Sequence, residues 1–182
     1  MSLLDVQNFL ARIYTDANLR REFADAPEQI GGENNLTENE IAELVTILPD
    51  EIDFFADSLF WKRLREVEKL LPLTRKVFGA DFETHFREFA NGFTPESIKK
   101  HLEDAVEFVG FLQKRETDWK RDAAKFESAK LEFYARGKGL VVRIFDYDVK
   151  EISRRIHESP MNFKRRKTFV VWLRIGKREF VF

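Results

Sequence analysis

Cysteine is absent from all 182 residues, which removes disulfides, thiolate metal sites and a cysteine nucleophile together. Histidine is nearly as scarce: only His85, His101 and His157 occur, and no two lie at a metal-ligand spacing. There is no glycine-rich phosphate loop, no nucleophile elbow and no HExxH. No catalytic residue, metal or cofactor is therefore expected, and a non-catalytic role is favoured. No run approaches the roughly 18 apolar residues of a membrane span. The opening MSLLDVQNFL lacks the basic start and apolar core of a signal peptide. These absences point to a cytoplasmic protein with no membrane partner. Tyrosine and tryptophan number only three each against 19 phenylalanines, and a ring without a polar handle serves packing first.

Charge is abundant but unevenly spread. Residues 1–116 hold 14 Lys and Arg against 23 Asp and Glu, a net of -9, while residues 117–182 hold 17 against 9, a net of +8. The chain total of -1 thus conceals a dipole along the sequence. Such a partition fits two parts docked on each other, separate partners, or two solvated faces.

Hydrophobic spacing predicts helices over 3–13 and 17–23, a break at Pro27 and Gly31-Gly32, and a helix opened by the capping box Thr37-Glu38-Asn39-Glu40. After Pro49, a helix is expected over 52–71. Phe82, Phe86, Phe89 and Phe93 then form a ridge on one helical face. Thr94-Pro95-Glu96 reads as a helix start, with Ile98, Leu102, Ala105, Val106, Val109 and Leu112 as the buried side. The character changes after about Arg115. A charged helix over 119–134 leads to a strand, LVVRIFDY at 140–147, and then to a short helix capped by Asp148 that stops near Ser159-Pro160. The last strand pair, 168–175 and 179–182, is joined by Gly176-Lys177. In that hairpin the more apolar face, Phe169, Val171, Leu173 and Ile175, is expected to meet the core.

The fold class is therefore α+β: a helical domain, 1–115, followed by a small basic α+β domain, 116–182, with a three-stranded antiparallel or mixed sheet. The candidate ligand-binding residues are Arg143, Lys164, Arg165, Arg166, Lys167, Trp172 and Arg174, the basic and aromatic surface of that sheet. Two readings use them. An open sheet edge with a basic rim accepts an extended, acidic peptide as another strand. Alternatively, the cations neutralise phosphates while Trp172 and Phe169 stack bases, as in sheet modules that bind RNA. The overall pI near 6.4 weighs against the second. A third reading, an enzyme built around His85 and Glu88, has the least support. The oligomeric state is open.

Two resemblances bear on the choice. FLARIYTDANLRREFADAPEQI at 9–30, followed by NLTENEIAEL at 35–44, resembles the opening of a nitrogen-fixation-associated leader-peptide family and of the small helical subunit of ring-opening dioxygenases. The order of parts, a helical domain, the charged helix WKRDAAKFESAKLEF at 119–133 and a basic α+β domain, is similar to the HvfC, BufC and MbnC class of partner proteins. Members of that class work with iron-dependent enzymes that modify ribosomally made peptides. The resemblance implies a non-catalytic subunit that recognises an enzyme or a leader peptide, with no active-site residue to carry over.

Overall fold

The computed structural model describes residues 3–46, 49–135, 137, 139–158 and 162–182. Within them the element order is α1 (Leu3–Thr15), α2 (Ala17–Asp25), α3 (Pro27–Glu33), α4 (Glu38–Thr46), α5 (Pro49–Leu70), α6 (Pro72–Phe78), α7 (Asp81–Asn91), α8 (Lys100–Arg115), α9 (Trp119–Tyr134), β1 (Leu140–Tyr147), α10 (Val149–Arg155), β2 (Arg165–Ile175) and β3 (Arg178–Val181). The three strands form an antiparallel sheet in the order β1-β2-β3, so the fold is α+β. Among the described residues no helix is long and apolar enough to cross a membrane.

The chain divides into two compact units, Met1–Arg63 with Ala90–Thr94, and Leu64–Phe89 with Pro95–Phe182. The compositional change near Arg115 falls inside the second unit, so α6, α8 and α7 as far as Phe89 share a compact body with the sheet.

In the first unit, Phe9, Ile13, Leu19, Phe23, Leu36, Ile41 and Leu44 make one buried cluster. The expected capping box is present: the Thr37 hydroxyl accepts from the Glu40 N–H at 3.3 Å, and the Glu40 carboxylate accepts from the Thr37 N–H at 2.8 Å. The expected break at Pro27 is instead the start of α3, because proline at the first helical position forgoes an N–H that has no helical partner there. Gly31 lies inside that short helix and is buried. A Cβ on Gly31 would stand 2.5 Å from Ile41 Cδ1, so glycine is what lets Ile41 of α4 pack against α3.

In the second unit, Phe108 of α8 stands at the centre of the aromatic packing, with Phe82, Phe86 and Phe89 at centroid distances of 5.2, 5.1 and 5.4 Å. The first three rings of the expected ridge thus face inward from α7, whereas Phe93 lies beyond that helix and is only partly buried. The helix expected at Thr94-Pro95-Glu96 does not form there. α8 begins at Lys100, and Ile98, expected on its buried side, is fully exposed in the turn before it. The Ser159-Pro160 stop lies outside the described residues.

Candidate binding face of the C-terminal sheet

α9 organises the second unit. Asp118 caps it by accepting from the Lys120 N–H, and Ala123, Ala124 and Ala129 let it approach its neighbours closely. Two of its carboxylates are buried and hold backbone elsewhere. Glu127 accepts from the Leu73 and Thr74 N–H groups at 2.9 and 2.7 Å, supplying α6 with the N-terminal partner that its own cap residue, Leu71, lacks. Burial holds the Glu127 carboxyl above its ordinary pKa, against the opposing pull of those N–H donors. Asp122 accepts from the Asp146 and Tyr147 N–H groups at 2.5 and 2.8 Å, fixing the far end of β1.

One face of the sheet packs on α9, and it is the less apolar one. Val141 and Phe145 of β1 and Val170 and Trp172 of β2 are buried there, with Val170 and Trp172 each 1% exposed. The Trp172 ring meets Phe126 of α9 at 5.5 Å. The expectation that Phe169, Val171, Leu173 and Ile175 face the core is therefore reversed: Phe169 is 67% and Ile175 62% exposed, and Val171 and Leu173 are half-buried. What selects the inner face is specific pairing with α9. Arg143 donates to Glu132 at 2.9 Å, and the Arg174 guanidinium lies 4.8 Å from the centroid of Phe133.

The outer face is then an apolar surface in register. Ile144, 64% exposed, pairs with Phe169; Val142 pairs with Val171, whose other neighbour is Phe182; and Leu140 pairs with Leu173, which pairs in turn with Phe180. The Leu140–Leu173–Phe180 row crosses all three strands, and the Ile144–Phe169 row spans β1 and β2. Cations stand at both ends, Lys164 to Lys167 where β2 begins and Lys177-Arg178 at the hairpin, where Gly176 takes the turn at φ 60°.

The sequence-predicted site residues divide between these surfaces. Trp172 offers no stacking surface, because it is core; this corrects its place in the expected binding site. Arg143 and Arg174 belong to the α9 side, and Arg174 also donates to Glu179 at 2.7 Å. Three residues of the cation run, Arg165 to Lys167, are part of β2, which begins at Arg165 and not at Thr168 as expected. Arg165 pairs with Asp146 at 3.1 Å and Arg166 with Asp148 at 3.8 Å. The Arg165 hydrogen bond, seconded by Arg121, holds the Asp146 carboxyl below its ordinary pKa. Lys164 and Lys167 are exposed and take part in no ion pair among the described residues. The residues the sequence reading missed are Val142, Ile144 and Phe182; the apolar alternation of LVVRIFDY carried the signal for the first two.

The outer edge of β1 is interrupted by side-chain contacts. Because Arg174 N–H donates to the Gly139 carbonyl, the even-numbered residues of β1 turn their backbone away from β2. Of those groups, the Ile144 carbonyl accepts from Lys125, the Val142 carbonyl from Arg143, and the Asp146 N–H donates to Asp122.

Elsewhere, the first unit has a cleft of about 390 Å3 walled by Ile13, Phe23, Leu44 and Ile52. Its two cations are already engaged, Arg20 with Asp53 and the Ile13 carbonyl, Arg21 with Asn18. His85 meets the Phe78 ring edge-on at 5.5 Å, and Glu88 is held by Arg115, whose hydrogen bond lowers its pKa. Among the described residues no group of three or more His, Asp or Glu is placed to hold a metal ion. In comparisons with known proteins, no family model and no curated sequence matches this chain.

Proposed function

We propose that this protein is a non-catalytic adaptor that holds a protein or peptide partner on the outer face of its C-terminal sheet. The observation that carries this reading is the in-register apolar surface of Ile144, Phe169, Val142, Val171 and Phe182, which the fold leaves in water although a more polar face is buried. Apolar patches rimmed by polar groups mark interaction sites. The resemblance to partner proteins of peptide-modifying enzymes makes such an enzyme, or the leader peptide it acts on, the partner class we favour.

The test is site-specific photo-crosslinking from position 142 in the native host, with Ile144→Lys and Phe169→Lys as comparators. A single partner crosslinked by the parent chain and lost in both variants is expected. No crosslinked partner, or one that both variants retain, overturns the reading. The alternative is nucleic-acid binding through Lys164 to Lys167. It has support in the exposure of those cations but not in Trp172, whose ring is enclosed. It requires oligonucleotide affinity that falls steeply with salt and loses slope when Lys164 and Lys167 become Ala.

A further inference from the structure

We infer that the element recognised by the outer sheet face is an acidic amphipathic helix of a partner, lying across the strands, and not an extended strand added at an edge. This deepens the adaptor reading and rests on it.

Three features of the second unit lead there. The first is the state of the edges. Strand addition needs a row of unpaired N–H and C=O groups. On β1 that row is interrupted, because the Ile144 and Val142 carbonyls and the Asp146 N–H already have side-chain partners from Lys125, Arg143 and Asp122. On the other edge, β3 spans only Arg178–Val181, and alternate residues of so short a strand turn outward too few groups to hold a fourth strand.

The second is shape. Three strands about 4.8 Å apart present a face about 10 Å wide, close to the diameter of a helix with its side chains. On the opposite face a single helix, α9, packs over β1 and β2, where Val141, Phe145, Val170 and Trp172 are buried. The outer rows lie on the same two strands, with Phe180 and Phe182 beside them, so one further helix would complete a three-layer arrangement.

The third is charge. The apolar rows are bounded at one end by Lys164 and Lys167 and at the other by Lys177 and Arg178, four cations with no ion pair among the described residues. The nearby carboxylates are occupied: Asp146 by Arg165 and Arg121, Asp148 by Arg166, and Glu179 by Arg174. A second copy of this face would bring like charges together. An occupant with Glu or Asp flanking an apolar stripe would meet cations at both ends.

The inference is tested by fluorescence anisotropy on the full chain with four labelled synthetic peptides of about 20 residues, long enough for appreciable helix. One has a Leu stripe at helical spacing with Glu elsewhere. The second replaces Glu by Lys, the third places Pro in the centre of the first, and the fourth alternates Val and Glu as a strand former. Saturable binding of the first peptide is expected, at least about tenfold tighter than the others and weakening with salt. Phe169→Glu should reduce it by about tenfold or more, with far-UV circular dichroism unchanged. Equal binding of the Lys peptide overturns the charge argument. Tighter binding of the strand former overturns the helix. No saturable binding overturns the inference, as does a sedimentation dimer of the parent chain that Phe169→Glu dissolves, since a second copy would then be the occupant. If a native partner crosslinks from position 142 through an extended segment, this inference fails while the adaptor reading stands. If no partner crosslinks, the adaptor reading fails.

Discussion

The two faces of the C-terminal sheet differ in the opposite sense to their hydrophobicity. The buried side carries Val170, Trp172 and Arg174 on β2, while the exposed side carries Phe169, Val171, Leu173 and Ile175. Apolar alternation selects the more apolar side for the core, which is the rule for a half-buried strand when only one face has anything to pack against. Here α9 is fixed by contacts that alternation does not register: Asp122 on the end of β1, Glu132 on Arg143, and Phe133 beneath Arg174. The surplus apolar face is left over after the core is complete, and a surplus of that kind is what an interaction surface requires.

Mutations on the two faces should therefore differ sharply. Trp172→Ala is expected to destabilise the second unit by about 3–5 kcal/mol, the range for deleting a large buried aromatic, whereas Phe169→Ala should stay within about 0.5 kcal/mol, as exposed sites do. Urea unfolding followed by circular dichroism measures both. Equal losses would mean that the outer face is covered and would remove the contrast. Next in size is Glu127→Ala. It strands the Leu73 and Thr74 N–H groups in a buried position, at a cost of about 2 kcal/mol or more.

The same glutamate gives a pH dependence. Its folded pKa lies above the ordinary 4.5, so the folded state binds the proton more tightly than the unfolded chain. The corresponding stability is complete below pH 4.5 and is lost as pH rises through the folded pKa. Glu127→Gln, which cannot ionise, should show a smaller fall in unfolding free energy over that rise. An unchanged slope would mean that the carboxyl is not desolvated. The smallest expected effect is that of Arg143→Ala on the α9 side. Its pair with Glu132 is about one-third exposed at the Arg143 side chain, and its loss should cost no more than about 1 kcal/mol. A larger loss would make this pair a principal determinant of which face α9 covers.

Much of the helical content was legible because its signals are local. The Thr37–Glu40 box and the 82, 86, 89 spacing each need only a few residues to be read, and each is present. Legibility failed where a distant group decided. Pro27 and Gly31 read as a break, yet the approach of Ile41 makes Gly31 a packing residue inside α3. Thr94-Pro95-Glu96 read as a helix start, but the turn that follows places the Glu103 carboxylate on the Ser97 N–H and delays α8 to Lys100. The candidate site was legible as a segment of sequence but not as a surface: Lys164 to Lys167 lie at one end of it, whereas Trp172 lies beneath it.

By itself the sequence determined the α+β class, the three strands, the exclusion of cysteine chemistry and the separation of acidic from basic residues. These follow from composition and from periodicities of two and 3.6, which act within one element. Only the tertiary structure decided which side of the hairpin is core. Both sides are apolar enough to be buried, and a strand cannot choose between them without the helix that packs on it. That choice left Ile144, Val142 and Phe169 in water, and with them the protein's candidate binding face.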